Sequence, residues 1–153
     1  MAENTYKSDL STDEKVLMGI IRVAEHFKRV HSNVFRSFGL SFPQYNVLRV
    51  LDASENGQGK ISDVSRIMIV PGANITGVAK RLERDAFIIK KSDPNDDRVT
   101  ILEITPKGKR TLKNIAKEKD ERLAIMLTDL SMAERLDFLE NIKRVIRRCR
   151  EIE

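Results

Sequence analysis

Between positions 72 and 110 the chain gathers side chains suited to a polyanion. Asn74 carries an amide that can pair with adenine, and Thr76 a methyl that can touch thymine. Lys80, Arg81, Arg84, Lys90, Lys91, Arg98, Lys107, Lys109 and Arg110 follow or flank them, cations able to neutralise phosphates. Gly72, directly after Pro71, suits close approach of a phosphate to a helix start, where unpaired N–H groups carry partial positive charge. The overall charge of +5 and pI of about 9.4 are weaker pointers, because the 33% of residues that are charged include both signs. The clustering carries the argument.

Other chemistries lack their residues. Asp93-Pro94-Asn95-Asp96-Asp97 opens like a calcium loop, but Arg98 stands where Gly is required and Ile104 where a bidentate Glu belongs. Gly72 and Gly77 have the spacing of a phosphate loop, yet Val78-Ala79 occupy the Lys and Ser/Thr positions. His26 and His31 point apart on a helix and have no further ligands in register, so no metal or cofactor is expected. Cys149, the single cysteine, lies among Arg147, Arg148 and Arg150, a setting that suggests a thiol switch. Without a resolving cysteine in the chain its plain reading is a small residue near a terminus. No nucleophile elbow or paired carboxylates suggest an enzyme.

The elements that position the basic region follow from periodicity and punctuation. Ser11-Thr12-Asp13-Glu14 forms a capping box, followed by an apolar stripe from Val16 and Leu17 through Phe27, Val34 and Phe35 to Phe38, with Gly39 as its stop. Ser41-Phe42-Pro43-Gln44 opens a second helix, Asn56-Gly57-Gln58-Gly59 reads as a loop, and Ser62 caps a short helix holding Val64, Ile67 and Met68. Pro71-Gly72 forces a turn before a helix from Ala73 to Asp85. Phe87 to Ile89 and Val99 to Ile104 are strand-like around an Asp/Asn turn. Thr105-Pro106 starts another helix. Ser131-Met132-Ala133-Glu134 starts the last, with Leu136, Leu139, Ile142, Val145 and Ile146 facing inward.

Helix, tight turn, helix and hairpin make a winged helix-turn-helix. The expected class is mainly α (α+β), with a two-stranded β wing and long terminal helices, in one domain spanning 1–153. The winged module covers about 41–105, and dimerisation helices about 11–38 and 106–150. The terminal stripes exceed what a small module can bury, so a two-fold homodimer is expected. One cysteine, no apolar run of ~18 residues and no signal-peptide order at the start favour a soluble, cytoplasmic protein without membrane contact.

Leu40-Ser41 with Gln44 to Leu48, Gly72 to Gly77 with Lys80 to Arg84, and Asp93 to Arg98 leading into Ile104-Thr105-Pro106-Lys107-Gly108 lie in register. Together they resemble the MarR family of bacterial transcriptional regulators over nearly the whole chain. The resemblance implies a homodimeric regulator, a repressor or an activator, on a pseudo-palindromic double-stranded DNA operator. It also implies release by a small phenolic ligand, an oxidant or a metal. Asn74, Thr76, Gly77, Lys80 and Arg81 would then face DNA from the recognition helix, and Ser62 and Arg66 would touch phosphates. Arg98 would enter the minor groove braced by Asp96, consistent with the preference of Arg for narrow A·T grooves.

The sequence departs from the family pattern twice. Asp97 occupies a wing position that is often Arg, so Asp93, Asp96 and Asp97 crowd one basic residue. Ala86 replaces the usual Gly after the recognition helix, which predicts a different helix-to-strand corner. Two alternatives stay open: a winged-helix module that binds protein instead of DNA, and a thiol regulator using Cys149.

Overall fold

A computed structural model describes residues 9–68 and 74–152. The elements run α1 (Thr12–Ser37), α2 (Phe42–Asp52), a 3-10 turn (Glu55–Gly57), β1 (Gln58–Lys60), α3 (Ile61–Ile67), α4 (Ile75–Arg84), β2 (Ile88–Asp93), β3 (Asp96–Ile104), α5 (Pro106–Met126) and α6 (Met132–Glu151). They fall into two compact units, one ending at Ile115 and the other beginning at Ala116.

Local chemistry explains most boundaries. Capping boxes open α1, α2 and α6, each with a Ser accepting from the N3 backbone and a Glu or Gln side chain reaching back. Thr105 Oγ1 accepts from Gly108 N at 3.1 Å to open α5. α1 ends with Gly39 at φ 78° and Leu40 N donating to Phe35 O, the αL closure that glycine favours. The α3 boundary differs from expectation: Lys60, not Ser62, is its N-cap, with no side-chain cap bond.

The sheet has three antiparallel strands in the order β1-β3-β2. Gln58 and Gly59, expected in a loop, instead pair with Glu103 and Leu102, adding a third strand to the wing hairpin. Gln58 is polar and Gly59 has no side chain, so no apolar alternation announced a strand.

The core of the first unit joins Val34, Phe35 and Leu40 to Val47, Leu48 and Leu51 of α2, Val64 of α3, Val78, Ala79 and Leu82 of α4, and Ile88, Leu102 and Ile104 of the sheet. Leu112 and Ile115 of α5 complete it. A Cβ on Gly108 would lie 2.7 Å from both Ile104 Cγ1 and Phe87 O, so α5 meets the sheet there only through a bare backbone.

The N-terminal half of α1 leaves Val16, Leu17, Met18 and Ile21 exposed. In the second unit α6 has no buried residue. Leu136, Leu139 and Ile146, expected to face inward, are exposed, and Ile142 and Val145 are half-buried. The amphipathic pattern was legible, but a stripe does not say whether its cover comes from the same chain.

Candidate nucleic-acid interface

α4 owes its orientation to a simple division of residues. Val78, Ala79 and Leu82 are buried, with Ile75 packed beside them, while Thr76, Lys80, Arg81, Glu83 and Arg84 are exposed. α4 packs against α2, α3 and β2, the contacts of a helix-turn-helix followed by a wing.

The cations around it fall into two groups. Arg84 pairs with Asp85 at 2.9 Å, Lys90 with Glu83 at 3.0 Å, and Lys91 with Glu103. Lys80 and Arg81 have no carboxylate partner among the described residues and point to solvent. The Arg84 hydrogen bond holds the Asp85 carboxyl below the ordinary aspartate range, and the Lys91 bond does the same for Glu103. Both acids therefore stay charged near neutrality and keep their cations occupied.

Asn74 is exposed at the N-cap of α4, where its Oδ1 accepts from Gly77 N at 2.9 Å. Gly77 leaves room for the amide, since a Cβ there would sit 3.2 Å from Asn74 Nδ2. The sequence pattern, which starts this helix at Ala73, a residue outside those described, does not announce the capping role of Asn74. Gly72 lies outside the described residues. Ser62 and Arg66 are exposed on α3, with Arg66 bound to Asp63 one turn earlier.

The carboxylates of the wing do not crowd one base. Asp96 Oδ1 accepts from both the backbone N and Nε of Arg98, at 3.0 and 3.1 Å. Asp93 turns away, accepting from Asn95 N at 2.9 Å and pairing with Lys60 at 3.2 Å. The Asn95 hydrogen bond, then Lys60, hold the Asp93 carboxyl below its ordinary range. Only Asp97 of the three has no partner among the described residues, so the expected competition for Arg98 reduces to one nearby charge.

The α4–β2 corner keeps the usual geometry despite Ala86. Ala86 has φ 61°, Ala86 N donates to Glu83 O and Phe87 N to Leu82 O, a Schellman closure with alanine in the glycine position. Thr105 Oγ1, 2.8 Å from Ala86 O, and Lys107 Nζ, 2.7 Å from Asp85 O, hold the corner from α5's side. Tertiary contacts thus override the local preference that predicted a different corner.

His26 Nδ1 contacts Arg29, whereas His31 is fully buried. No cluster of potential metal ligands occurs among the described residues. Cys149 is exposed near the end of α6, and no described helix is long and apolar enough to cross a membrane.

Residues 29–115 match the family described as the transcriptional regulator SarA/Rot. An uncharacterised HTH-type transcriptional regulator of Bacillus subtilis, YkoM, is 30% identical over 132 residues, covering 83% of this chain and 84% of that protein. Sco3205, a MarR family transcriptional regulator from Streptomyces coelicolor solved in complex with DNA, superposes with a TM-score of 0.79 at 18% identity, covering 94% of this chain and 91% of Sco3205. The organohalide-sensing regulator RdhR-CbdbA1625, in its 2,4-dichlorophenol-bound form, gives a TM-score of 0.81 at 14% identity, with 97% and 89% covered. The chain belongs to the SarA/Rot family of transcriptional regulators and is built on the winged helix-turn-helix fold of the MarR regulators.

Proposed function

We propose that the protein is a homodimeric repressor that reads a pseudo-palindromic operator with α4 and the wing and leaves it when a small phenolic compound binds. The observation that carries the DNA part is the exposed face of α4. Thr76, Lys80 and Arg81 lie there exposed, the two cations without a carboxylate partner among the described residues, while neighbouring cations are neutralised at home. Unpaired cations are the ones that gain most from phosphate, because no internal pair must break first. Asn74 and Thr76 would read base edges, Lys80 and Arg81 would contact phosphate or bases, Ser62 and Arg66 phosphates, and Arg98 the minor groove. Sequencing the genomic fragments retained by purified protein tests this: a shared inverted repeat supports it, and random retention removes it.

Effector release draws on His31. Its Nδ1 lies 2.9 Å from Phe27 O, an atom that only accepts, so Nδ1 carries a proton, and in the neutral ring Nε2 is then the acceptor. Nε2 is buried without a hydrogen-bond partner among the described residues, and the ring lies against Phe27 and Phe35, which in turn pack on Phe42 and Tyr45. A phenolic O–H is the matching donor, and RdhR-CbdbA1625 binds such a molecule. Operator release by 2,4-dichlorophenol that is lost in His31→Phe would support this part; release unchanged by the substitution would move the effector elsewhere.

A further inference from the structure

Lys60 and Asp93 form an ion pair between the two outer strands of the sheet, across β3. The Asp93 side chain is only 9% exposed, and its partner Lys60 51%. Asp93 is also where the wing ladder changes. Ser92 pairs with Thr100, but Asp93 pairs with Asp96, which leaves Asp97, Arg98 and Val99 outside the register as an excursion of β3. Such bulges re-aim side chains, and Arg98, 91% exposed, stands in the middle of this one. Asp96 orients the Arg98 guanidinium from the same strand, so it cannot fix the excursion relative to the helices.

Lys60 supplies that reference. It is the last residue of β1 and the N-cap position of α3. A nearly buried carboxylate is costly to leave unpaired, so the pair ties the wing turn to the entry of α3. We propose that Lys60 and Asp93 are positioning residues that hold the Arg98 excursion at a fixed place relative to α3 and thereby set how much the wing contributes to DNA affinity. The proposal rests on the reading of Arg98 as a DNA contact.

The test uses the full chain, a selected operator duplex, and the variants Lys60→Met, Lys60→Arg, Asp93→Asn and Arg98→Ala, singly and with Arg98→Ala added to each of the first and third. Lys60→Met removes only a half-exposed ammonium, so it keeps the test valid should Asp93→Asn fold poorly. Hydrogen exchange of the free protein reports positioning without DNA. At the amides of residues 95–99 it should accelerate about tenfold in Lys60→Met and Asp93→Asn, with α2 unchanged and Lys60→Arg close to wild type. On DNA, Arg98→Ala should weaken binding about tenfold in the wild-type background but under about threefold in either variant, the non-additivity expected of coupled residues. Unchanged exchange, or an equal Arg98→Ala loss in all backgrounds, overturns the positioning role. If Arg98→Ala costs nothing in the wild type, the DNA reading of Arg98 fails and takes this proposal with it. The exchange data then tell that failure apart from a clamp that never held.

Discussion

Asn74 Oδ1 already accepts from Gly77 N, so Asn74→Ala would remove a helix cap together with any base contact. Asn74→Ser separates the two, because serine caps nearly as well but has no amide to pair with adenine. Asn74→Ala should lower stability by about 1 kcal/mol, and Asn74→Ser by a few tenths. Both should cost roughly 1–3 kcal/mol of discrimination at one operator position per half-site. Melting curves and competition binding on operator variants check this; full discrimination by Asn74→Ser would restrict Asn74 to capping. At Ala86 the left-handed backbone costs an L-residue about 1–2 kcal/mol. Glycine gives part of that relief back as extra freedom of the unfolded chain. Ala86→Gly should therefore stabilise the protein by about 0.5–1 kcal/mol, read from denaturant midpoints. Asp97→Arg removes an unpaired negative charge at the wing and should tighten DNA binding at low salt; unchanged affinity would place the wing tip away from the backbone.

At the scale of elements, the wing is stiffened by polar links across its strands: Gln58 to Glu103, Lys91 to Glu103, and Lys60 to Asp93. Because the Asp93 carboxyl titrates below its ordinary value, its contribution is present above the unfolded pKa and is lost as pH falls through the lower folded one. Wing-tip amide shifts should stay flat from about pH 8 to about pH 5 and move only below about pH 4. A transition near pH 6 would assign the response to another group. The α5–sheet contact is equally testable. Gly108→Ala forces a Cβ against the Phe87 backbone and should destabilise by about 1–3 kcal/mol, the range for overpacking.

For the whole molecule, exposed apolar residues on α1 and α6 set the expectation of a homodimer, since large apolar faces are seldom left in water. Leu136→Glu with Leu139→Glu should convert a sedimenting dimer to monomer at micromolar concentration and weaken operator binding, because each half-site would then bind alone. A wild-type monomer at that concentration would remove the dimer reading. If each subunit neutralises about four phosphates, log affinity should fall with log salt at a slope of roughly −7 for the dimer. A flat response would favour a protein-binding winged helix instead.

The helices and the wing were legible because their signals are local: Ser-x-x-Glu and Ser-x-x-Gln boxes, Thr105-Pro106, apolar spacing of about 3.6, and Asp-Pro-Asn-Asp turn chemistry. So was the basic character of α4, because a helix with Val78, Ala79 and Leu82 on one face must turn Lys80 and Arg81 outward. What tertiary structure decided involves partners far apart in sequence. Gln58 and Gly59 become a strand only because β3 offers them an edge. Ala86 accepts a left-handed backbone because Thr105 and Lys107 bind the corner from α5. Asp93 is held by Asn95 N and by Lys60, thirty-three positions away in sequence, while Arg98 pairs with Asp96. Composition and spacing rank what a residue can do. Which of those interactions it makes depends on which groups the fold carries to within hydrogen-bonding distance, since a bond of a few ångströms outweighs a local preference of about 1 kcal/mol only when its partner is there.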